Sequence, residues 1–453
     1  MAIFTINAID PKTNRSSTMY YDNLQSTLTD DKGLSVISVM SESLMAQRSV
    51  APATSKDTPL GKTTPRVLKI SLGLSCNYEC EYCSQRFVPR ANETNPDDIS
   101  NFVDGLDSWV LEAPEKVEFW GGEPLVYIKT LRPLAERIRA KYPDAAFTLI
   151  TNGSLLNIEL NKWLVDMGFN VGLSHDGPGQ HVRGPDPLAD PDTKAAILDL
   201  YGRLAPLGRM SFNSMMNRSN TSRAAVQDFF IKLTGDANVR IGEGSIVDAY
   251  DEGGLANSLL PEDYATYRNR AFAELRSGKA SNFGTITMKV SSFINSLRTR
   301  RPATTIGQRC GMDKPDTIAV DLKGNVLTCQ NVSSVGMAPN GQSHKIGHVS
   351  NLADVKLDTA THWSFRKECS NCPVLHICQG SCMFLENELW SATCNNAYSD
   401  SIPVFAAGIE FLTGLVPMKI TGPHREDRHD IWKAPAATAP ALKKKIIPIA
   451  VTA

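Results

Sequence analysis

The sequence predicts an α/β protein: a partial (β/α)6 barrel of the TIM type, followed by a cysteine-rich C-terminal domain. Three observations lead to this fold class. From Arg66 onward, short apolar strands alternate with amphipathic helices, and strict alternation is typical of a parallel sheet. Six such units follow one another without an obvious reversal, which favours a partial barrel, although a doubly wound sheet has the same pattern of elements. After about residue 300 the alternation gives way to short strands, turns and seven cysteines.

The six units follow from the spacing of their apolar residues. In the first helix, Ile99, Phe102, Val103 and Leu106 recur at intervals of three and four, as on one face of a helix. Functional groups are expected at the C-terminal ends of the strands, where ligands bind in parallel α/β folds. Strands are predicted at 67–74, 116–120, 147–151, 169–174, 210–216 and 239–242, and helices at 97–111, 130–141, 155–167, 193–205, 222–234 and 261–277.

Four segments are expected along the chain. Residues 1–64 form an N-terminal extension of unknown role, and its last part is interpreted as a linker because Pro, Thr and Gly cannot sustain a helix or a buried strand there. Residues 65–300 form the barrel and 301–400 the cysteine-rich domain. Residues 401–453 hold an amphipathic helix near 402–415 and, beyond Lys433, a tail that is expected to be poorly ordered.

Composition and charge exclude several classes of protein. Hydrophobic residues make up 42% and charged residues 21% of the 453 positions, which is typical of a globular chain. The net charge of −1 gives no sign of a general binder of nucleic acid or anionic membranes. The first ten residues lack the pattern of a secretion signal, and the most apolar run, 402–418, is shorter than the ~20 residues of a spanning helix. A soluble, cytoplasmic protein without a membrane partner is expected.

Ten cysteines fall into two groups, and the first follows the first predicted strand directly. In a chain without an export signal, clustered thiols favour metal ligation over disulfides. Cys76, Cys80 and Cys83 supply three thiolates within eight residues. Three thiolates can hold three corners of an iron–sulfur cube, leaving the fourth iron open to a non-protein ligand. A three-cysteine zinc site and three metal-free thiols are the alternatives that this spacing leaves open.

Polar motifs follow the next three strands. Gly121-Gly122-Glu123-Pro124 combines glycines that allow close backbone approach with an acceptor for an ammonium group. Thr151-Asn152-Gly153 offers an amide for hydroxyl groups, and Ser174-His175-Asp176-Gly177 is followed by Arg183, a clamp for a carboxylate. Together these groups suit a zwitterionic amino acid that carries a ribose. For His175 and His181, packing or hydrogen bonding is expected rather than catalysis.

In these motifs and their order, the chain resembles a radical S-adenosylmethionine (SAM) enzyme over roughly residues 66–290. The resemblance implies a [4Fe–4S] cluster on Cys76, Cys80 and Cys83, with the amino and carboxylate groups of SAM on the open iron. It further implies reductive cleavage of SAM to a 5′-deoxyadenosyl radical, with a flavodoxin- or ferredoxin-type protein as electron donor. The implied cofactor contacts are Tyr82 near the adenine, Gly121, Gly122, Glu123 and Pro124 at the amino group, Asn152 and Ser174 at the ribose or carboxylate region, and Arg183 at the carboxylate; Asp176 is a further implied contact.

The second cysteine group has the spacing C-x13-G-x4-C, a gap, C-x2-C-x5-C-x3-C, a gap and a last C, with Gly324 as the glycine. A CxxC pair with two further cysteines also matches a zinc ribbon. The full pattern is similar to the SPASM domain of radical SAM maturases, which implies two auxiliary iron–sulfur clusters. By this resemblance one cluster is held by Cys310, Cys329 and Cys382, and the other by Cys369, Cys372, Cys378 and Cys394.

One position departs from the sulfatase-maturing relatives, which carry an Asp directly after a cluster cysteine. Here Gln330 follows Cys329, and a neutral amide cannot accept a proton. Asp313 and Asp321 are interpreted as residues of surface turns. Sulfatase maturation is therefore not expected, and no catalytic base is visible in the sequence.

A peptide or protein is the expected substrate, because many SPASM enzymes act on ribosomally made peptides. Residues 1–64 lack the three amphipathic helices of a winged-helix leader-binding domain. The alternatives are a small molecule, a nucleoside or a base in nucleic acid, for which Arg298, Arg300 and Arg301 offer phosphate contacts. A non-catalytic iron–sulfur or zinc scaffold is a further hypothesis, against which the SAM-type motifs argue.

Overall fold

A computed structural model gives the fold and describes residues 2–40, 49–90 and 94–433. The tail predicted beyond Lys433 lies outside these residues. The strands are β1 Ile3–Ile9, β2 Ser16–Asp22, β3 Thr27–Thr29, β4 Leu60–Gly61, β5 Val67–Ser71, β6 Lys116–Trp120, β7 Ala146–Thr151, β8 Phe169–Ser174, β9 Met210–Met216, β10 Ile241–Ile246, β11 Thr317–Asp321, β12 Asn325–Leu327, β13 Lys345–His348, β14 Lys356–Leu357 and β15 Val416–Thr421. The helices are α1 Asp98–Gly105, α2 Ile128–Lys141, α3 Ile158–Asp166, α4 Pro191–Leu204, α5 Arg223–Thr234, α6 Glu252–Asn257, α7 Pro261–Arg276, α8 Gly284–Arg298, α9 Lys367–Ser370, α10 Leu375–Cys378 and α11 Asn387–Thr413.

The central sheet has nine strands in the order β10-β9-β8-β7-β6-β5-β11-β12-β13. The six strands β5 to β10 lie side by side in the order of the sequence, and each pairs in parallel with the next. A doubly wound sheet reverses its strand order at a switch point. Because no reversal occurs here, the partial barrel is the correct alternative and the predicted fold class is confirmed.

Buried aromatic side chains fix the barrel strands. Phe119, Phe147 and Phe169 lie on three consecutive strands, and their ring centroids are 5.2–5.6 Å apart. Each ring is at most 1% exposed, so strands and helices close over a shared apolar layer. Helix α5 shows how the sequence sets a boundary: the Ser222 side chain accepts the Ala225 N–H at its start, and Gly235 ends it with φ +72°.

Strand β10 differs from its prediction. It extends to Ile246 because Glu243 (φ +59°) and Gly244 (φ +74°) introduce an irregularity, after which pairing with β9 resumes. The prediction of 239–242 ended at this irregularity. The C-terminal edge of the barrel at this strand therefore lies several residues later in the sequence than expected.

The two ends of the described chain meet in a second sheet. Strands β1, β2 and β3 pair in antiparallel fashion, and β15 joins the free side of β1. The segment predicted as an extension without assigned structure thus contains strands, and β15 follows a helix that begins earlier than predicted. The four domain boundaries themselves stay a prediction.

Helix α11 begins at Asn387, whereas the predicted helix was confined to 402–415. Its first half carries polar residues that are buried and hydrogen-bonded, such as Thr393, Asn396 and Asp400, so it shows no amphipathic period. Helix α8, which precedes the cysteine-rich part, was not predicted. Among the described residues, no helix combines the length and the apolar character needed to cross a membrane.

Candidate active site at the strand ends

The first cysteine loop follows β5 and brings its three thiols together. The backbone N–H of Tyr78 donates to Cys76 Sγ (3.3 Å), and that of Gln85 donates to Cys83 Sγ (3.4 Å). The pKa of Cys80 is raised to about 12. Burial is the main cause, and Cys83 and Cys76 contribute to the rise. None of the ten cysteines, all of which lie in the described ranges, forms a disulfide. The three free thiols in the loop after β5 therefore influence one another electrostatically.

The loop after β6 lies directly against the cysteine loop. The N–H of Gly122 donates to the Gly73 carbonyl (2.9 Å), and the N–H of Glu123 to the Ser75 carbonyl (3.0 Å). A Cβ at Gly122 would lie 2.5 Å from the Ser75 oxygen and 2.6 Å from the Leu74 oxygen. Only glycine permits this approach.

The Glu123 carboxylate is 1% exposed and accepts three hydrogen bonds. Their donors are Leu125 N (3.0 Å), Thr151 Oγ1 (2.7 Å) and Asn152 N (2.7 Å). It caps the helical turn that begins at Pro124 and ties the loop after β6 to the loop after β7. A carboxylate has about four acceptor positions, so at most one remains for the ammonium group that the sequence suggested.

Asn152 connects the loop after β7 to the cysteine loop through a ring of three hydrogen bonds. Asn152 Nδ2 donates to Asn77 Oδ1 (2.9 Å), Asn77 Nδ2 to Ser154 Oγ (2.8 Å), and Ser154 Oγ to Asn152 Oδ1 (2.6 Å). Asn77 directly follows Cys76. The amide predicted to bind hydroxyl groups thus also positions the first cysteine.

The fourth strand end holds a buried charged cluster. Tyr82 Oη donates to Asp176 Oδ2, and Arg183 Nη1 donates to Tyr82 Oη (3.0 Å) and to Asp176 Oδ1 (3.3 Å). Burial lowers the pKa of Arg183, but Tyr82, Asp176 and Cys80 together raise it above its usual value, so it stays charged. Arg183 Nε is buried without a hydrogen-bond partner. An orphaned donor on a guanidinium beside the cysteine loop fits an anionic ligand group.

Ser174 ends β8 and is 8% exposed. Next to it, His175 accepts the Gly177 N–H at Nδ1 (2.9 Å), and its Nε2 lies 3.1 Å from Asp186 Oδ1. Its ring stacks on Phe229, and burial lowers its pKa. His175 therefore has the hydrogen-bonding and packing role that the sequence suggested, and His181 is exposed.

The seven later cysteines form two sets. Cys310, Cys329 and Cys382 influence one another electrostatically, as do Cys369, Cys372, Cys378 and Cys394. Seven of the ten cysteines share one contact, in which the sulfur accepts the backbone N–H two residues later. Hydrogen bonds to sulfur stabilise thiolates and tune iron–sulfur sites, so these donor sets fit clusters. Within the described ranges, no three His, Cys, Asp or Glu side chains surround one metal-ion position.

A cavity of about 310 Å³ is lined by Cys310, Cys329 and Cys382 and by residues 84 and 87–89, which follow the first cysteine loop. Asp248 lines it after the end of β10, accepting hydrogen bonds from Arg309 Nη2 (2.7 Å) and Ser381 Oγ (3.0 Å). The sequence analysis missed Asp248 because the predicted strand ended four residues too early. Its position after the sixth strand was the signal that could have found it.

The interpretation of Asp313 and Asp321 as residues of surface turns is wrong. Asp313 and Asp321 do not lie at the surface, since they are 1% and 0% exposed. Asp313 accepts the Gln308 N–H (2.8 Å), and Asp321 accepts two N–H groups in a buried turn. Arg301 hydrogen-bonds Thr305 through Nε (3.1 Å) and Nη2 (2.8 Å), so one member of the basic run is used within the fold. Gln330 accepts a hydrogen bond from Lys69 Nζ (3.3 Å).

Comparison with known proteins identifies the family. Residues 70–200 match the Radical SAM superfamily. This part of the chain is therefore a radical SAM domain. The assignment confirms the predicted family, together with SAM and a [4Fe–4S] cluster as its cofactors.

Among similar proteins, the serine-type anaerobic sulfatase-maturating enzyme of Klebsiella aerogenes is 23% identical over 345 residues, covering 70% of this chain and 79% of that protein. The radical SAM cyclopropyl synthase TigE of Paramaledivibacter caminithermalis is 23% identical over 243 residues, covering 45% of this radical SAM protein and half of TigE. The solved structure of native anSMEcpe with bound AdoMet has a TM-score of 0.52 at 19% identity, covering 77% of this chain and 98% of that one. That similarity shows a shared fold.

Proposed function

We propose that this radical SAM protein cleaves SAM at Cys76, Cys80 and Cys83 and modifies a peptide or protein substrate in the adjoining cavity. One observation supports the proposal: four consecutive strands are followed by the cysteine loop, Glu123, Asn152 and Arg183, and hydrogen bonds connect the cysteine loop to the other three loops. A cluster with bound SAM would supply an electron and a hydrogen-abstracting radical there. The protein's own residues bind, orient and enclose the reactants.

The cofactor contacts are proposed residue by residue. The unpartnered Nε of Arg183 marks this guanidinium as the group that binds the SAM carboxylate. Glu123 orients the loop, since its carboxylate already accepts three hydrogen bonds. The carbonyl groups of Gly121 and Gly122 are then the acceptors for the SAM amino group. Tyr82, held by Asp176 and Arg183, forms the wall on the adenine side.

The cysteine-rich part would hold two auxiliary clusters, in the sets predicted from the sequence. Cys369, Cys372, Cys378 and Cys394 give a complete four-thiolate site, and Arg428 Nη2 donates to Cys394 Sγ (3.4 Å). Cys310, Cys329 and Cys382 give a three-thiolate site that lines the cavity. Electron transfer to or from the substrate is the role that buried clusters beside a cavity suit. A flavodoxin- or ferredoxin-type electron donor and a cytoplasmic location stay predictions.

A peptide or protein substrate is favoured by the cavity and by the relatives. The apolar part of the cavity lining includes Phe87, Val332 and Phe384. Phe87 is 66% exposed. The charged side chains that line the cavity are Asp248, Asp251 and Arg309. Several of the similar proteins are named as sulfatase-maturating enzymes. Because Gln330 cannot accept a proton, Asp248 is the carboxylate we propose for any proton transfer in this cavity.

The test is anaerobic reconstitution, followed by reduction in the presence of SAM. Three [4Fe–4S] clusters correspond to about twelve irons per chain, and 5′-deoxyadenosine should form. A library of synthetic peptides is then screened for sequences that increase 5′-deoxyadenosine formation and change in mass. Fully loaded protein that makes no 5′-deoxyadenosine would refute the proposal, as would a variant with Ala at Cys76, Cys80 and Cys83 that still makes it.

A further inference from the structure

The N-terminal segment, residues 2–40 and 49–64, contacts the backbone that carries the auxiliary cysteines at two separate places. No role for this segment was predicted from the sequence, and the relatives' names assign none. Both contacts use fully or almost fully buried polar side chains that bind main-chain carbonyl groups.

The first contact lies in the turn after β2. Asn23 is 0% exposed, and its Nδ2 donates to the carbonyl oxygens of Ser370 (3.0 Å) and Cys372 (2.9 Å). The two acceptors lie within the turn that joins Cys369 to Cys372. Asn23 therefore fixes the backbone between two thiols of the four-cysteine set.

The same turn also holds the helix that ends at Cys378. The Ser26 hydroxyl lies 3.0 Å from His376 Nε2, and this ring nitrogen is 2.7 Å from the Asn23 carbonyl oxygen. The Ser26 hydroxyl donates its hydrogen to the Arg301 carbonyl oxygen (2.7 Å). Three of the four thiols in this set are thus carried by backbone that one N-terminal turn binds.

The second contact is made by Lys62, which is 5% exposed. Its Nζ donates to the carbonyl oxygens of Met312 (2.7 Å), Lys314 (2.9 Å) and Thr317 (3.0 Å), which uses all three ammonium hydrogens. The Met312 and Lys314 carbonyls belong to the loop after Cys310 and the Thr317 carbonyl to the start of β11, and the Met312 N–H donates to Cys310 Sγ. Lys62 therefore orders the loop that supplies both a thiol and its hydrogen-bond donor.

We propose that the N-terminal segment is a brace that holds the auxiliary cysteine loops in place for cluster binding. Asn23 is the positioning residue for the four-cysteine set and Lys62 for the three-cysteine set. Most of the backbone between residues 306 and 386 is turns and short elements, so its own secondary structure does little to fix the thiols. The proposal rests on the two auxiliary clusters of the proposed function.

The test uses full-length protein in which Cys76, Cys80 and Cys83 are replaced by Ala, so that only auxiliary iron is counted. This background should hold about eight irons, and Asn23→Ala or Lys62→Met should each lower the count to about four. Electron paramagnetic resonance of the reduced protein should lose one cluster signal and keep the other. Lys62→Arg keeps the charge and the donors and should restore the iron. Asn7→Ala and Lys56→Met are matched controls at exposed positions.

A second measurement separates the brace from general stability. In the protein with its native first cysteine group, both variants should keep SAM cleavage without substrate, and their apo forms should unfold at temperatures close to that of the parent. If both variants bind as much iron as the control variants and give unchanged spectra, the brace proposal is wrong. So would a loss of the SAM-site cluster in parallel with the auxiliary iron. A background protein with no auxiliary iron at all would instead show that the proposed clusters are wrong, and the brace with them.

Discussion

Replacing Arg183 by Met tests the proposed SAM carboxylate site. The guanidinium is anchored through Nη1 to Tyr82 Oη (3.0 Å) and Asp176 Oδ1 (3.3 Å), and its buried Nε has no partner. A hydrogen bond to a charged group contributes about 1.5–3 kcal/mol. At 1.4 kcal/mol per factor of ten, Arg183→Met should weaken SAM binding by about 10- to 150-fold.

The same substitution also affects stability, and a second change separates the two effects. Asp176 is 0% exposed, so removing Arg183 leaves a buried carboxylate without its cation, at a cost of about 3–5 kcal/mol. Asn in place of Asp176 can still accept the Met215 N–H that Oδ1 now accepts (2.9 Å). The double variant Arg183→Met/Asp176→Asn should therefore recover much of the lost stability while SAM affinity stays low.

Calorimetric titration of SAM into anaerobically reconstituted protein measures the affinity, and urea unfolding of the apo protein measures the stability. Iron content is determined for every variant, so that a missing cluster is not mistaken for a missing carboxylate contact. Wild-type affinity in Arg183→Met with a full cluster would show that the guanidinium serves only to hold Tyr82 and Asp176. Recovery of SAM affinity in the double variant would lead to the same conclusion.

Three further predictions address the cysteines, the close loop approach and pH. Ala in place of the three first-group cysteines should abolish 5′-deoxyadenosine formation, while Cys310→Ala should leave substrate-independent cleavage intact; chromatography of the products distinguishes the two. Gly122→Ala places a Cβ 2.5 and 2.6 Å from two carbonyl oxygens. It should lower the free energy of unfolding by about 1–3 kcal/mol and abolish iron binding at the SAM site. In the control Gly105→Ala the added Cβ has nothing within 4 Å, so stability and iron content should not change. Burial lowers the pKa of His362 to about 4, below its unfolded value near 6.5, so the unfolded chain binds more protons between these pH values. Stability should therefore fall as pH drops from 6.5 to 4, by about 1.4 kcal/mol per pH unit from this group, and His362→Gln should reduce that slope in urea titrations of the apo protein.

The barrel could be predicted because residues that are close together in the sequence mark where each of its strands begins and ends. β6, β8 and β9 have the predicted bounds: β6 and β8 contain runs of buried residues, and in β9 buried and half-buried residues alternate. Long-range contacts explain what was missed: Asn23 meets Cys372 and Lys62 meets Met312 across hundreds of residues, and neither polar residue belongs to a motif. Asp321 was assigned to a surface turn for a related reason. The local sequence predicts a turn, but it does not show whether other parts of the chain bury that turn.

Strand pairing explains how two cysteine groups so far apart in sequence are both connected to the central sheet. β5, which leads into the first group, pairs in parallel with β11 from Val67↔Thr317 to Ser71↔Asp321. β12 then pairs with β11 in antiparallel fashion, and Cys329 follows it by two residues. Lys69 of β5 reaches Gln330 across this junction (3.3 Å). The cysteine-rich part therefore extends the barrel sheet at its first strand, the strand that leads into the loop of Cys76, Cys80 and Cys83.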